Sequence, residues 1–266
     1  MNMYLHELKA LRKSTIIWIL AMIGMALLYF SIYPSFASQA EDVKKLLSNY
    51  PLPIREALGI SIDSITSILG FYSMIFSFIS LCGAIQAMNM GVSILSKESR
   101  ERTADFLLVK PVSRASIVTA KLLAALTMLL ITNVIYYGAA SLLATVAKTA
   151  DYDLKAFFLI NLSLFLLQLI LLSIGVVISV FFNKLKSVLP ISLGVVFAFF
   201  IAGALIATED SEVARYLSPF KYFDLPYIIS HGSYEASFLI AGFLIILAAI
   251  TTSYIVYIKK DIHAVS

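Results

Sequence analysis

Of the 266 residues, 60% are apolar and 14% charged. An ordinary soluble domain has roughly 45–50% and about 25%, so composition excludes a water-soluble globular protein. Length admits one or two domains, but the polar residues are too scattered to form a separate soluble one, so a single membrane domain is expected. The net charge of +4 bears on orientation more than on an anionic partner, because what matters in a membrane protein is which loops hold the Lys and Arg.

In chain order, residues 1–14 place Tyr4, Leu5, Leu8, Leu11 and Arg12 at helical spacing, as expected of a helix lying in the membrane interface. A charge-free apolar stretch follows at about 15–33. It resembles a secretory signal in its flanks (Lys9, Arg12 and Lys13 before, Ser35-Phe36-Ala37 after), but it exceeds the about 7–15 residues of a signal core and is read as an uncleaved first span. Further spans are predicted at about 68–95, 122–147, 156–182, 188–207 and 237–258, each near or above the about 20 residues that cross a hydrocarbon layer of roughly 30 Å. The fold class is therefore an all-α integral membrane protein with six transmembrane helices. Cys82, the single cysteine, leaves no internal disulfide and reads as a packing residue.

The segment between spans two and three is long and patterned. Ser96 is placed to cap an amphipathic helix over 96–109, Glu98 and Glu101 suit its first turns, and Pro111 disfavours helix at Lys110. Ser113 then caps a helix that runs through Lys121 into the third span. The 148–155 turn and the 183–187 link are brief, whereas 34–67 and 208–236 are sizeable.

Six spans put both chain ends on one side. Thirteen Lys and Arg (9, 12, 13, 97, 100, 102, 110, 114, 121, 184, 186, 259 and 260) share that side against seven opposite (44, 45, 55, 148, 155, 215 and 221), which places both termini in the cytoplasm of a multi-pass plasma-membrane protein. The spans, so bounded, contain no Asp, Glu, Lys, Arg or His, which counts against an ion-coupled transporter. Their amides are Gln86 and Asn89, Asn133, and Asn161 with Gln168. Spacings of three and seven put each same-helix pair on one face, fit either to line a pathway or to hydrogen-bond between helices.

Several chemistries lack their motifs. There is no Gly-x-x-x-x-Gly-Lys-Ser/Thr phosphate loop, no Gly-x-Ser-x-Gly and no His-Glu-x-x-His, and the histidines His6, His231 and His263 are far apart. No catalytic residue, metal site or cofactor is expected. The basic residues follow the orientation rule, which leaves nucleic-acid binding without support.

The run from 97 to 114, with Thr103-Ala104-Asp105-Phe106-Leu107-Leu108-Val109-Lys110-Pro111-Val112-Ser113-Arg114 and then Ile117 and Lys121, resembles the loop between the second and third spans of ABC-2 type exporter permeases. Tyr216-Leu217-Ser218-Pro219-Phe220-Lys221-Tyr222-Phe223 is similar to a segment in their last outer loop, which often includes partly re-entrant helices. Span count and loop sizes extend the likeness over nearly the whole chain. The resemblance implies that 96–113 acts as a coupling region on a separate ATPase subunit, with Glu98, Arg102, Thr103, Phe106, Leu107, Pro111, Ser113 and Arg114 as the coupling residues. It implies a connecting helix at the N-terminus beside that ATPase, which for 1–14 stands beside the surface-anchor reading. It further implies cytoplasmic ABC ATPase subunits carrying ATP and Mg, and a second permease, identical or paralogous, in the same lipid bilayer. The rival readings are a non-transporting membrane sensor or immunity protein and a membrane-embedded enzyme; an importer permease is disfavoured because its Glu-Ala-Ala and following glycine are not found.

Overall fold

The computed structural model describes residues 3–51, 54–55, 65, 67–100, 113–182, 187–206 and 212–259. Among them all regular structure is helical, and six helices are long and apolar enough to cross a membrane. These are α1 (Met3–Ser38), α3 (Ile68–Arg100), α4 (Arg114–Ala147), α5 (Leu154–Phe181), α6 (Leu189–Ile206) and α9 (Ala236–Lys259). Three short helices lie between them: α2 (Ala40–Ser48), α7 (Glu212–Arg215) and α8 (Leu225–His231), with a 3₁₀ turn at Pro219–Lys221. Where hydropathy alone sets a boundary, the expected spans hold to within two residues, as in α5, α6 and α9.

Two expected boundaries are corrected. No break separates an interfacial 1–14 helix from the first span, because α1 is one helix of 36 residues that also runs through Pro34. At 1.5 Å per residue it measures about 54 Å, well beyond the hydrocarbon thickness. Likewise α3 continues past residue 95 to Arg100, and Ser96 caps nothing. Its hydroxyl is buried and donates back to the Val92 carbonyl at 2.6 Å. Neither proline nor glycine occurs over 96–100, so nothing stops the helix where the lipid ends.

α3 is the central element, and α5 is its closest neighbour. At their crossing the backbones touch: a Cβ on Gly175 would lie 2.9 Å from the Met88 carbonyl oxygen, and one on Gly91 would lie 3.1 Å from the Gly175 Cα. Two glycines at one crossing permit what larger residues forbid, and lipid-immersed helices gain van der Waals contact this way. α1 packs along α4, and α9 along α5.

The two ends of the bundle differ. Glu7, Ile94, Lys121 and Ile258 lie at one end, since contacts join Glu7 and Ile94 to Lys121 and Ile258 to Arg114. This end, called basic here, holds the described first and last turns of the chain. The opposite end, called acidic for Asp151, Asp153, Glu212, Asp224 and Glu235, is aromatic: Phe30 stacks on Tyr72 at 5.5 Å, Phe36 lies 4.7 Å from Phe71, and Phe157 sits between Tyr72 and Tyr152. Phe30, Phe71, Tyr72 and Phe157 are buried and pack this end of the bundle.

Candidate functional site

Of the expected coupling residues, Glu98, Ser113 and Arg114 fall at the basic end. Ser113 caps α4 as its sequence position implied, accepting from the Ser116 amide at 3.2 Å with an extended backbone (φ −70°, ψ 147°). Arg114, the first residue of α4, donates from Nη1 to the Ile258 carbonyl at 3.1 Å, a favourable place for a cation because carbonyls at a helix C-terminus carry partial negative charge. Glu98 lies on the last turn of α3. Arg102, Thr103, Phe106, Leu107 and Pro111 lie outside the described residues.

Polar groups tie three helices together at three depths. Near the acidic end Tyr72 of α3 donates to Asn161 of α5 at 2.8 Å and therefore accepts from Tyr136 of α4 at 3.0 Å. Fourteen residues further along α3, about 21 Å, Gln86 donates to Thr132 of α4 at 3.0 Å and accepts from Gln168 of α5 at 3.2 Å. Gln168 also donates to the Gly83 carbonyl, and Asn133 donates to Gln168 at 2.6 Å. Gly83 makes this approach possible, since a Cβ there would lie 2.9 Å from Gln168 Nε2. Eight residues further, about 12 Å, Lys121 of α4 donates to the Ile94 carbonyl of α3 at 2.5 Å and stands 3.4 Å from Glu7 of α1.

The five span amides thus separate into two groups. Gln86, Asn133, Asn161 and Gln168 are committed to interhelical hydrogen bonds. Asn89 is not: half-buried, it lines a cleft of about 400 Å³ between α1, α3 and the start of α6. Ser14, Gln86, Ser93 and Ser187 supply the rest of the polar lining, and Leu11, Met90, Val188 and Leu189 the apolar part. Among the described residues no charged side chain lines it.

The sequence reading missed Glu7 and Lys121. With span three begun at residue 122, Lys121 counted as a flanking charge, yet it is fully buried, and Glu7 is 4% exposed. The signal was periodicity: Lys121 shares its stripe with Ala125, Met128, Thr132 and Tyr136, all buried on α4, and residues three or four apart share a helix face.

At the acidic end the 212–235 segment packs against the bundle. Ser218 donates to the Phe199 carbonyl at 2.7 Å, seven residues and about 10 Å before the end of α6, and Gly203 leaves the room, since a Cβ there would lie 2.9 Å from Ser218 Oγ. Arg215 holds Glu235 through both guanidinium nitrogens, at 3.0 and 2.5 Å, and lies 4.2 Å over the Phe238 ring. Gly232, at φ 59°, ends α8 in the left-handed conformation that glycine accepts without strain. Lys148 and Asp151 pair in the open at 2.8 Å, and that hydrogen bond holds the Asp151 carboxyl below the ordinary carboxylate range.

No curated protein sequence matches the chain. The model of the ABC-2 family transporter proteins matches residues 1–262, nearly the whole length, and its members are membrane components of ABC-type transport systems that generally work with ABC ATPase subunits. Six membrane-spanning helices with a patterned segment between the second and third agree with that match, and the chain belongs to the ABC-2 family of transporter proteins.

Proposed function

We propose that this permease is the membrane-spanning subunit of an exporter driven by ATP hydrolysis on a separate nucleotide-binding subunit, with ATP and Mg bound there rather than here. The observation that carries this reading is the length of the two helices flanking 101–112. α3 has 33 residues and α4 has 34, about 50 Å each, so each exceeds the roughly 30 Å hydrocarbon layer. The excess falls at the basic end, over the polar Ser96 to Arg100 and over Arg114 to Lys121, where Arg114, Ser116, Thr119 and Lys121 alternate with apolar residues. Two stiff helices leaving the bilayer side by side make a lever for a docked partner. The 13-to-7 distribution of basic residues supports a cytoplasmic location for that end of a protein of the cell membrane, and a second permease completes the assembly. Glu98, Arg102, Thr103, Phe106 and Leu107 form the docking face in this reading, with Pro111, Ser113 and Arg114 setting the turn into α4. Asn89 lines the pathway for an uncharged or amphiphilic cargo, because the described lining of the cleft offers amide and hydroxyl groups without charge.

The test is copurification of the tagged chain with its ATPase and vanadate-sensitive hydrolysis by the complex. The permease alone hydrolyses no ATP. Glu98→Ala is expected to accumulate normally while losing about 2–5 kcal/mol of association, as for a desolvated interface charge. Hydrolysis by the purified chain alone, or an unchanged complex with Glu98→Ala, contradicts the respective assignment.

A further inference from the structure

Two charges are buried at the basic end, where an apolar contact would avoid their desolvation cost. Lys121 is fully enclosed, and its ammonium meets the Ile94 carbonyl at 2.5 Å and Glu7 Oε1 at 3.4 Å. Each group comes from a different helix. Ile94 lies six residues before the end of α3, and Lys121 seven after the start of α4. They are 27 positions apart in the chain, and the docking segment 101–112 falls between them in sequence, so the ammonium joins the two helices that flank it. A displacement applied there enters the bundle through α3 and α4, and Lys121 fixes how the two share it. Glu7 extends the tie to α1, with Tyr4 hydroxyl 3.0 Å from Thr127 beside it.

We propose that Glu7 and Lys121 are positioning residues that make α1, α3 and α4 respond as one body when an ATPase acts on 101–112. The inference rests on the permease reading above. Apolar surfaces slide past one another at little cost, whereas a desolvated pair opposes separation and holds one register. The same body includes α9, because Arg114 meets the Ile258 carbonyl and Thr119 meets the Tyr254 hydroxyl at 2.8 Å. The start of α6 faces α1 and α3 across the cleft. Movement of the joined helices against α6 changes the width of that cleft, which is how a push on the docking segment reaches Asn89.

The test uses the full complex, purified with its ATPase and reconstituted in liposomes, reading vanadate-sensitive ATP turnover relative to the ATPase alone. Glu7→Gln with Lys121→Met removes both charges together. Membrane accumulation and copurification are expected to stay at the parent level, while permease-dependent stimulation falls about tenfold or more. Lys121→Arg keeps a cation for Glu7 and a donor for Ile94, and is expected to restore stimulation to within about threefold. Parent-level stimulation in the neutral pair overturns the inference, as does an arginine variant as defective as the neutral pair. Should the neutral pair fail to accumulate, Lys121→Arg decides alone: retained stimulation supports the inference, and lost stimulation with intact copurification overturns it. A parent chain that brings down no ATPase removes the permease reading, and this inference with it.

Discussion

The pair α3 and α5 and the pair α6 and α9 are both apolar enough to span a membrane, but they do different work. Of the most apolar stretch of each helix, 72% of residues are buried in α3 and 61% in α5, against 17% in α6 and 11% in α9. Phe197, Ile201 and Leu205 on α6, and Ile240, Phe243 and Leu247 on α9, point outward. Hydropathy therefore says that a helix lives in a membrane and not whether it lives in the centre. The difference is made by small and polar residues, since lipid solvates leucine as well as another helix does. Gly91 and Gly175 let backbones meet at the centre and Gly83 admits the Leu164 and Gln168 side chains, whereas Gly194 on α6 has open space around it.

The sharpest way to break the contrast is Gly91→Leu. Its Cβ would collide with the Leu172 carbonyl and crowd Gly175, so α3 and α5 must separate, at a cost of more than about 3 kcal/mol. The expected outcome is loss of the folded protein in detergent, measured by size-exclusion profile and thermal unfolding. A normal Tm would mean that the crossing is looser than described.

Gln168→Leu is a milder challenge to the same seam. It removes the partner that Gln86 Oε1, Asn133 Nδ2 and the Gly83 carbonyl share, Asn133 keeping its bond to the Leu129 carbonyl, and the expected destabilisation is about 1–2 kcal/mol, the range of interhelical hydrogen bonds in membranes. A drop in Tm with near-normal yield is expected, and no drop would assign the amides to the pathway rather than to structure.

Gly194→Ala tests the periphery. Nothing lies within 4 Å of the added Cβ, and alanine favours helix over glycine by up to about 1 kcal/mol. The variant should be as stable as the parent or slightly more so; a marked loss in the purified complex would show that this face is covered by another subunit.

The smallest effect is expected at Asp151→Asn, far from both pairs. Lys148 and Asp151 are exposed, and such pairs contribute little. Because Asp151 titrates below its ordinary value in the folded chain, whatever it contributes is present at neutral pH and disappears as pH falls through the acid range. Thermal unfolding of parent and variant should coincide at neutral pH and below.

The sequence by itself determined that this is a six-helix membrane protein, which ends share a side and where α4 begins, because lipid length, charge placement and the Ser113 cap are local properties. It equally placed Gln86 beside Asn89 on one face and Asn161 in register with Gln168. Only the tertiary structure decided which of those amides are spent on other helices, leaving Asn89 to the cleft. It alone carried α1 through Pro34 and α3 through Ser96, since a helix that leaves the lipid no longer needs apolar residues and its hydropathy signal ends before it does. It alone buried Lys121 as well. Whether a charge next to a span faces water or a partner depends on residues 7, 94 and 121 meeting in space, and no window along the chain contains all three.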